Sequence, residues 1–148
     1  MQWFKKSFHE IPVDELYQII KARVDVFIVE QSCPYEELDN CDQEAIHLFL
    51  KVNNEIAAYV RILPKGRTFP EVSIGRVLVV EKYRGHGYAK MIMQRAINFI
   101  VEEWQETTIK IQAQTYLQSF YESFGFQQIS PAYLEDGIPH IDMIYCSN

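Results

Sequence analysis

The sequence predicts an α/β (α+β) fold: a mixed, mostly antiparallel central sheet flanked by helices, with one βαβ crossover. Three observations predict it. Val72–Val80 is a long β-branched run, Tyr88–Trp104 carries apolar residues at helical spacing, and Thr108–Gln114 alternates apolar with polar. In that order they make a strand–helix–strand unit that sets two parallel strands side by side. Before it, His47–Val52 and Glu55–Leu63 are strand-like runs joined at Asn53-Asn54, a hairpin signal. No repeat, low-complexity stretch or Pro/Gly/Ser-rich linker divides the 148 residues, so 1–148 reads as one domain.

The elements follow in order. Residues 3–8 place Trp3, Phe4 and Phe8 among Lys and Ser and form a first strand. Pro12 opens a helix with Asp14 and Glu15 in its first turn, where acids suit the helix dipole; Leu16, Ile20, Val24 and Phe27 mark its apolar stripe. Glu30–Glu44 has little periodicity, is rich in acids and reads as a functional loop or a short broken helix. The hairpin of residues 47–63 comes next, then a polar turn, Pro64–Pro70, then Val72–Val80, apolar on both faces as a central strand is. In the strongest helix, Ala89, Ile92, Met93, Ala96, Ile97, Ile100, Val101 and Trp104 share a face and Lys90, Gln94, Asn98 and Glu102 lie opposite. Ile109, Ile111 and Ala113 face one way on the following strand. Leu117–Phe124 is a short helix ended by Gly125. Phe126–Ile129 and Ile141–Cys146 read as closing strands around a loop, Ser130–Pro139.

Composition narrows the function classes. A net charge of −6 argues against the nucleic-acid backbone as partner, since that binding needs clustered Lys and Arg. A chain of this length buries roughly 70% of its unfolded surface and needs neither disulfide nor metal to fold. Cys33, Cys41 and Cys146 are an odd set with no disulfide framework, which suits free thiols in a reducing compartment. The N-terminal segment has no apolar signal core, and no apolar run approaches the ~18 residues of a membrane helix. A cytoplasmic protein without a membrane anchor is expected.

The segment Val77–Lys90 carries the chemistry. A strand enters a turn containing Gly85 and Gly87, and the strongest helix leaves it. The first turn of that helix has unpaired N–H groups, the glycines let the backbone approach a bulky anion, and the dipole favours negative charge. With Arg84 beside it, this is a site for a pyrophosphate. It is not a Walker loop, because Gly-x-x-x-x-Gly-Lys-Ser/Thr is absent. A dinucleotide fold is also poorly matched: no third glycine follows Gly87 by three residues and no acid ends the next strand.

Arg84-Gly85-His86-Gly87-Tyr88-Ala89 resembles the R-x-x-G-x-G/A motif of the GNAT acetyltransferase superfamily, and the order of elements is similar over nearly the whole chain. A narrower resemblance is to the ElaA-like branch. It rests on Arg23-x-x-Val26-Phe27-Ile28-Val29-Glu30-Gln31-x-Cys33-x-Tyr35-x-Glu37-x-Asp39-x-x-Asp42 with His47, on Ile74-Gly75-Arg76-Val77, and on Gly137-Ile138-Pro139-His140. The resemblance implies acetyl-CoA as co-substrate, held at its pyrophosphate by the backbone of residues 84–89, with Leu78, Val79 and Val80 lining the pantetheine arm. It also implies Tyr121, within Tyr-x-x-x-Gly-Phe, as the acid that protonates the departing sulfur. Homodimers are common in that superfamily, so a dimer is possible by analogy.

Transfer to an amine also needs a base. Glu71, at the start of the central strand, is the first candidate; Glu30, Asp39, His47 and His140 are others, acting directly or through water. Glu30, Gln31, Tyr35, Asp39 and Asp42 are candidates for an ammonium-binding pocket, with His47 and His140 nearby in function. Arg61 and Arg76 lie within strands, where a charge needs a partner: they pair with these acids or bind a carboxylate of the acceptor. Cys33, Cys41 and His47 lack the compact spacing of a zinc site, so no metal is expected. The reading is an acetyl-CoA-dependent transferase acting on a small-molecule or peptide amine. The competing one is a non-catalytic CoA-binding sensor or interaction module on the same fold.

Overall fold

In the computed structural model, which describes residues 1–147, the apolar runs pair as their alternation requires. The chain runs β1 (Gln2–Ser7), α1 (Val13–Val24), β2 (Ile46–Val52), β3 (Glu55–Leu63), β4 (Val72–Val79), α2 (Tyr88–Glu102), β5 (Thr108–Gln114), α3 (Gln118–Glu122), β6 (Gln127–Gln128), β7 (Tyr133–Glu135) and β8 (Ile138–Cys146). The sheet order is β1-β2-β3-β4-β5-β8-β6, with β7 paired to β8. Among the described residues only β4 and β5 pair in parallel, across the α2 crossover, and the other pairs are antiparallel. Asn53 and Asn54 turn the β2–β3 hairpin with φ of 52° and 64°, the left-handed region that Asn tolerates better than other non-glycine residues.

The sheet is covered on both faces, and β2 and β3 bury apolar residues on each. One face packs Leu48, Leu50, Val60 and Ile62 against Ile92, Met93, Ala96, Ile97 and Ile100 of α2. The other packs Phe49, Tyr59 and Leu78 against Ile19, Ala22 and Val26 of α1 and the turn after it. Each large side chain so enclosed contributes roughly 1.5–3 kcal/mol relative to exposure. No helix among the described residues is long and apolar enough to cross a membrane.

Three local expectations change. The inner face of α1 is Glu15, Ile19, Ala22 and Arg23; Leu16, Ile20 and Val24 are only half-buried. Apolar spacing misplaced this face because two of its residues are charged and find partners inside: Glu15 binds Lys6 and Lys51, both at 2.7 Å. Past Val24 the helix widens into a π-type turn, Asp25–Glu30, that carries the chain to the acidic loop. Finally, residues 130–139 are not simply a loop. Asp136 and Gly137 (φ 51° and 77°) form a two-residue hairpin turn joining β7 to a β8 that begins at Ile138.

β4 is irregular where it matters. Gly75 pairs with Arg61 and Leu78 with Tyr59, so three steps on β4 span two on β3. This is a bulge at Arg76 and Val77, and Arg76 takes φ 53° to make it. A left-handed non-glycine residue costs about 1–3 kcal/mol and persists only where its surroundings hold it.

Candidate functional site

β4 and β5 start together at Val72–Ile109 and Ser73–Lys110, where their register stops. The strands then separate, and the gap opens into a cleft of about 910 Å³. The bulge and the splay both arise on β4, so the cleft lies where the sheet is least regular.

The glycine turn lines one part of it through Arg84, Gly85, Gly87, Tyr88 and Ala89. Gly85 and Gly87 take φ of 86° and 78°, and a Cβ on either would meet no other atom within 4 Å. The turn is therefore shaped by backbone and leaves room beside it for a bulky group. Gly87 caps α2, and the first intrahelical bond runs from Met91 N–H to Gly87 O (3.2 Å). The N–H groups of Tyr88, Ala89 and Lys90 precede that bond, at the positive end of a 15-residue helix. Arg84 folds back, donating from Nε to Val79 O (2.9 Å) and from Nη2 to Glu30 Oε2 (2.8 Å). His86 is exposed beside Tyr88 and is not among the lining residues.

Leu78 and Val79 line the cleft; Val80 does not, and its N–H is taken by Ala57 O at 2.9 Å. The β4 backbone without a β3 ladder partner is instead the bulge, Arg76 and Val77. Tyr121 also lines the cleft. Its ring packs edge-on against Phe120 and Phe126, while its hydroxyl hydrogen-bonds to no side chain or backbone group among the described residues. Burial pushes that hydroxyl up to about 12, so it stays protonated at neutral pH.

The acidic loop closes another side, and its acids pair with Arg61 and Arg76, one of the two roles expected for those arginines. Three acids and three arginines alternate in one buried network. Arg23, fully enclosed, donates to Glu37 Oε2 (2.6 Å) and Asp42 Oδ2 (2.9 Å). Arg61 binds both oxygens of Asp39 (2.8 and 2.7 Å) and Asp42 Oδ1 (2.9 Å). Arg76 binds Glu37 (2.9 Å) and Asp39 (3.3 Å), and Tyr35 donates its hydroxyl to Glu37. Burial alone would raise the Asp39 carboxyl, but Arg61 holds it well below the usual carboxylate range. Its charge is thus already matched by the protein. Asp42 and His47 lie beneath the cleft and do not line it. His47 is fully buried between Tyr59 OH (2.6 Å) and Asp42 O (2.9 Å), and burial lowers its proton affinity. Glu71, the expected base, is likewise not a lining residue; one of its carboxylate oxygens is enclosed without a partner just ahead of β4.

Glu30, Gln31, Tyr35, Asp39 and His140 do line the cleft. The tip of the β7–β8 hairpin joins them through Glu135, Asp136 and Ile138. These were missed because residues 130–139 read as a loop, although Asp136-Gly137 ahead of an alternating run was the available signal. Cys33 Sγ reaches Asp136 O at 3.4 Å and ties this tip to the acidic loop.

The family model for the acetyltransferase (GNAT) domain matches residues 15–146. Protein ElaA of Escherichia coli is 37% identical over 145 residues, covering 97% of this chain and 95% of that one. The crystal structure of ElaA superposes with a TM-score of 0.91 at 36% identity, covering 98% of this chain and 99% of that one. An acyl-CoA N-acyltransferase from Pseudomonas aeruginosa superposes with a TM-score of 0.92 at 34% identity, covering 99% and 100%. The glycine turn, the splayed strands and these matches lead to one conclusion: the chain belongs to the GNAT acetyltransferase domain family.

Proposed function

We propose that the protein is an acetyl-CoA-dependent N-acetyltransferase that moves an acetyl group directly onto a primary amine of a small molecule or peptide. The observation that carries this is a single cleft lined by the glycine turn at the start of α2, by the bulged strand β4 and by the Tyr121 hydroxyl. The similarity to an acyl-CoA N-acyltransferase supports it. The residues fit the group. Gly85 and Gly87 leave space on the cleft side, and the N–H groups of residues 88–90 suit a pyrophosphate. Acetyl-CoA would supply a thioester whose acyl carbon is open to attack.

The chain's own residues do the rest. The helix start anchors the anion, with Arg84 free to leave Glu30 for a phosphate because both side chains are partly exposed. The bulge at Arg76 and Val77 presents backbone without a ladder partner to polarise the acyl oxygen. Tyr121 gives a proton to the departing sulfur. Holding donor and acceptor together removes any need for a covalent enzyme intermediate.

The test is calorimetric titration with acetyl-CoA, followed by thiol release in the presence of a polyamine, an amino acid, an aminoglycoside and a peptide N-terminus. Saturable binding with amine-dependent release supports the transferase. Binding without release across the panel favours a CoA-binding module, and absence of binding overturns the assignment.

A further inference from the structure

The buried network leaves the cleft short of a proton acceptor. Tyr121 is held protonated by burial, Tyr35 donates to Glu37, and Asp39 is clamped by Arg61 and Arg76. Glu30, Glu36, Glu135 and Asp136 line the cleft but are exposed, and a carboxylate in water is a weaker base than an imidazole. One lining side chain remains.

His140 is the third residue of β8, opposite Gln114 of β5 in the ladder. Its Nδ1 lies 2.7 Å from the carbonyl oxygen of Ile138. A carbonyl oxygen only accepts, so Nδ1 carries the hydrogen. In the neutral ring the lone pair is then on Nε2. Nε2 hydrogen-bonds to no other group among the described residues. The ring is further fixed by stacking on Tyr133 (6.2 Å between centroids), whose hydroxyl is anchored on Asp142 at 2.6 Å. Pro139 before it and the Asp136-Gly137 turn set the backbone that presents it, and the Cys33 contact holds the hairpin tip against the acidic loop.

We propose that His140 is the general base of the transfer, its tautomer set by the Ile138 carbonyl so that Nε2 takes the proton of the acceptor ammonium. This rests on the N-acetyltransferase reading above. Nε2 accepts one proton from the ammonium, and the freed nitrogen bonds to the acyl carbon as the carbon–sulfur bond breaks. The sulfur takes the Tyr121 proton. A second proton leaves the nitrogen and restores Tyr121, and His140 returns its own to solvent. The balance is one amide, one thiol and one released proton.

Two measurements test it. Nitrogen-15 spectra of the labelled protein, taken at a pH high enough that the ring is neutral and with the His140 signals assigned by their loss in His140→Gln, should show the hydrogen on Nδ1; a neutral ring carrying it on Nε2 overturns the proposal. Thiol release from acetyl-CoA is then compared for alkylamine acceptors (a polyamine, lysine, a peptide N-terminus) and for methoxyamine, which is already unprotonated at neutral pH. His140→Ala should lose at least about 100-fold in kcat/KM with alkylamines. It should lose little with methoxyamine and bind acetyl-CoA as the wild type does. Equal losses with both nucleophiles, or no loss, would show that His140 has only a structural part. Failure of the wild type to turn over any acceptor would instead sink the transferase reading, and the base role with it.

Discussion

Arg23→Met is the sharpest test of the buried network. Arg23 makes three hydrogen bonds, to Glu37 Oε2 (2.6 Å), Asp42 Oδ2 (2.9 Å) and Glu37 O (3.1 Å), and its side chain is 0% exposed. Methionine fills much of the same space and donates nothing. Glu37 keeps Arg76 and Asp42 keeps Arg61, so neither acid is stripped. Three carboxylates then share two guanidiniums, and one negative charge is left uncompensated where Glu37 and Asp42 are only 2% and 8% exposed. Breaking a buried pair in this way costs about 3–5 kcal/mol, and the remaining partners place this case at the lower end, about 3 kcal/mol. Against a domain stability of roughly 5–15 kcal/mol the variant should still fold. With a urea m-value of about 2 kcal/mol/M, the midpoint should fall by roughly 1.5 M. Far-UV circular dichroism during urea unfolding at pH 7 measures it. Adding Glu37→Gln should recover part of the loss, because charge balance returns. A single-variant cost below about 1 kcal/mol would refute the claim that these charges depend on one another.

Other outcomes follow from the same geometry. Tyr121→Phe keeps the ring in its aromatic packing and removes the proton, so thiol release should fall by about 10²–10⁴-fold while acetyl-CoA still binds by calorimetry. Gly87→Ala forces a side chain into φ 78°, costing about 1–2 kcal/mol in thermal or urea unfolding, and should weaken acetyl-CoA binding as well. Stability should fall with acid in two stages. Burial holds folded His47 below its unfolded value of about 6.5, so only the unfolded chain gains that proton at first and stability declines as pH drops below about 6.5. Asp39 and Asp42 would be raised by burial but are held low by Arg61 and Arg23. Their contribution is complete above about 3.9 and is lost as pH falls through their depressed folded values. Urea midpoints between pH 7.5 and 3 read the upper stage and the onset of the lower one, and His47→Gln should flatten the upper stage; an unchanged upper stage would mean that His47 is not its source.

The site was unevenly legible. The glycine turn could be read because its parts are contiguous: strand, Gly85, Gly87 and helix lie within one short stretch, and each has its own local signal. The acidic loop could be read only in part: Arg61 and Arg76 were candidate partners for its acids, but which pairs form was not legible. The partners sit far along the chain, on α1, β3 and β4, and their pairing is set by the fold. Arg23 was hidden for a related reason, since an arginine on the inner face of a helix breaks the apolar stripe that marks such a face.

By itself the sequence determined the order of elements as far as α3, the central place of Val72–Val80, the crossover and the anion-binding turn. All of these rest on propensity, periodicity and glycine conformation, which act between near neighbours. Only the tertiary structure decided which charged side chains meet, that β4 bulges and parts from β5, and that Glu71 and His47 lie off the cleft while His140 faces it. Those outcomes depend on strand register and on partners far apart in the chain, since burial and charge pairing are set by distance in space.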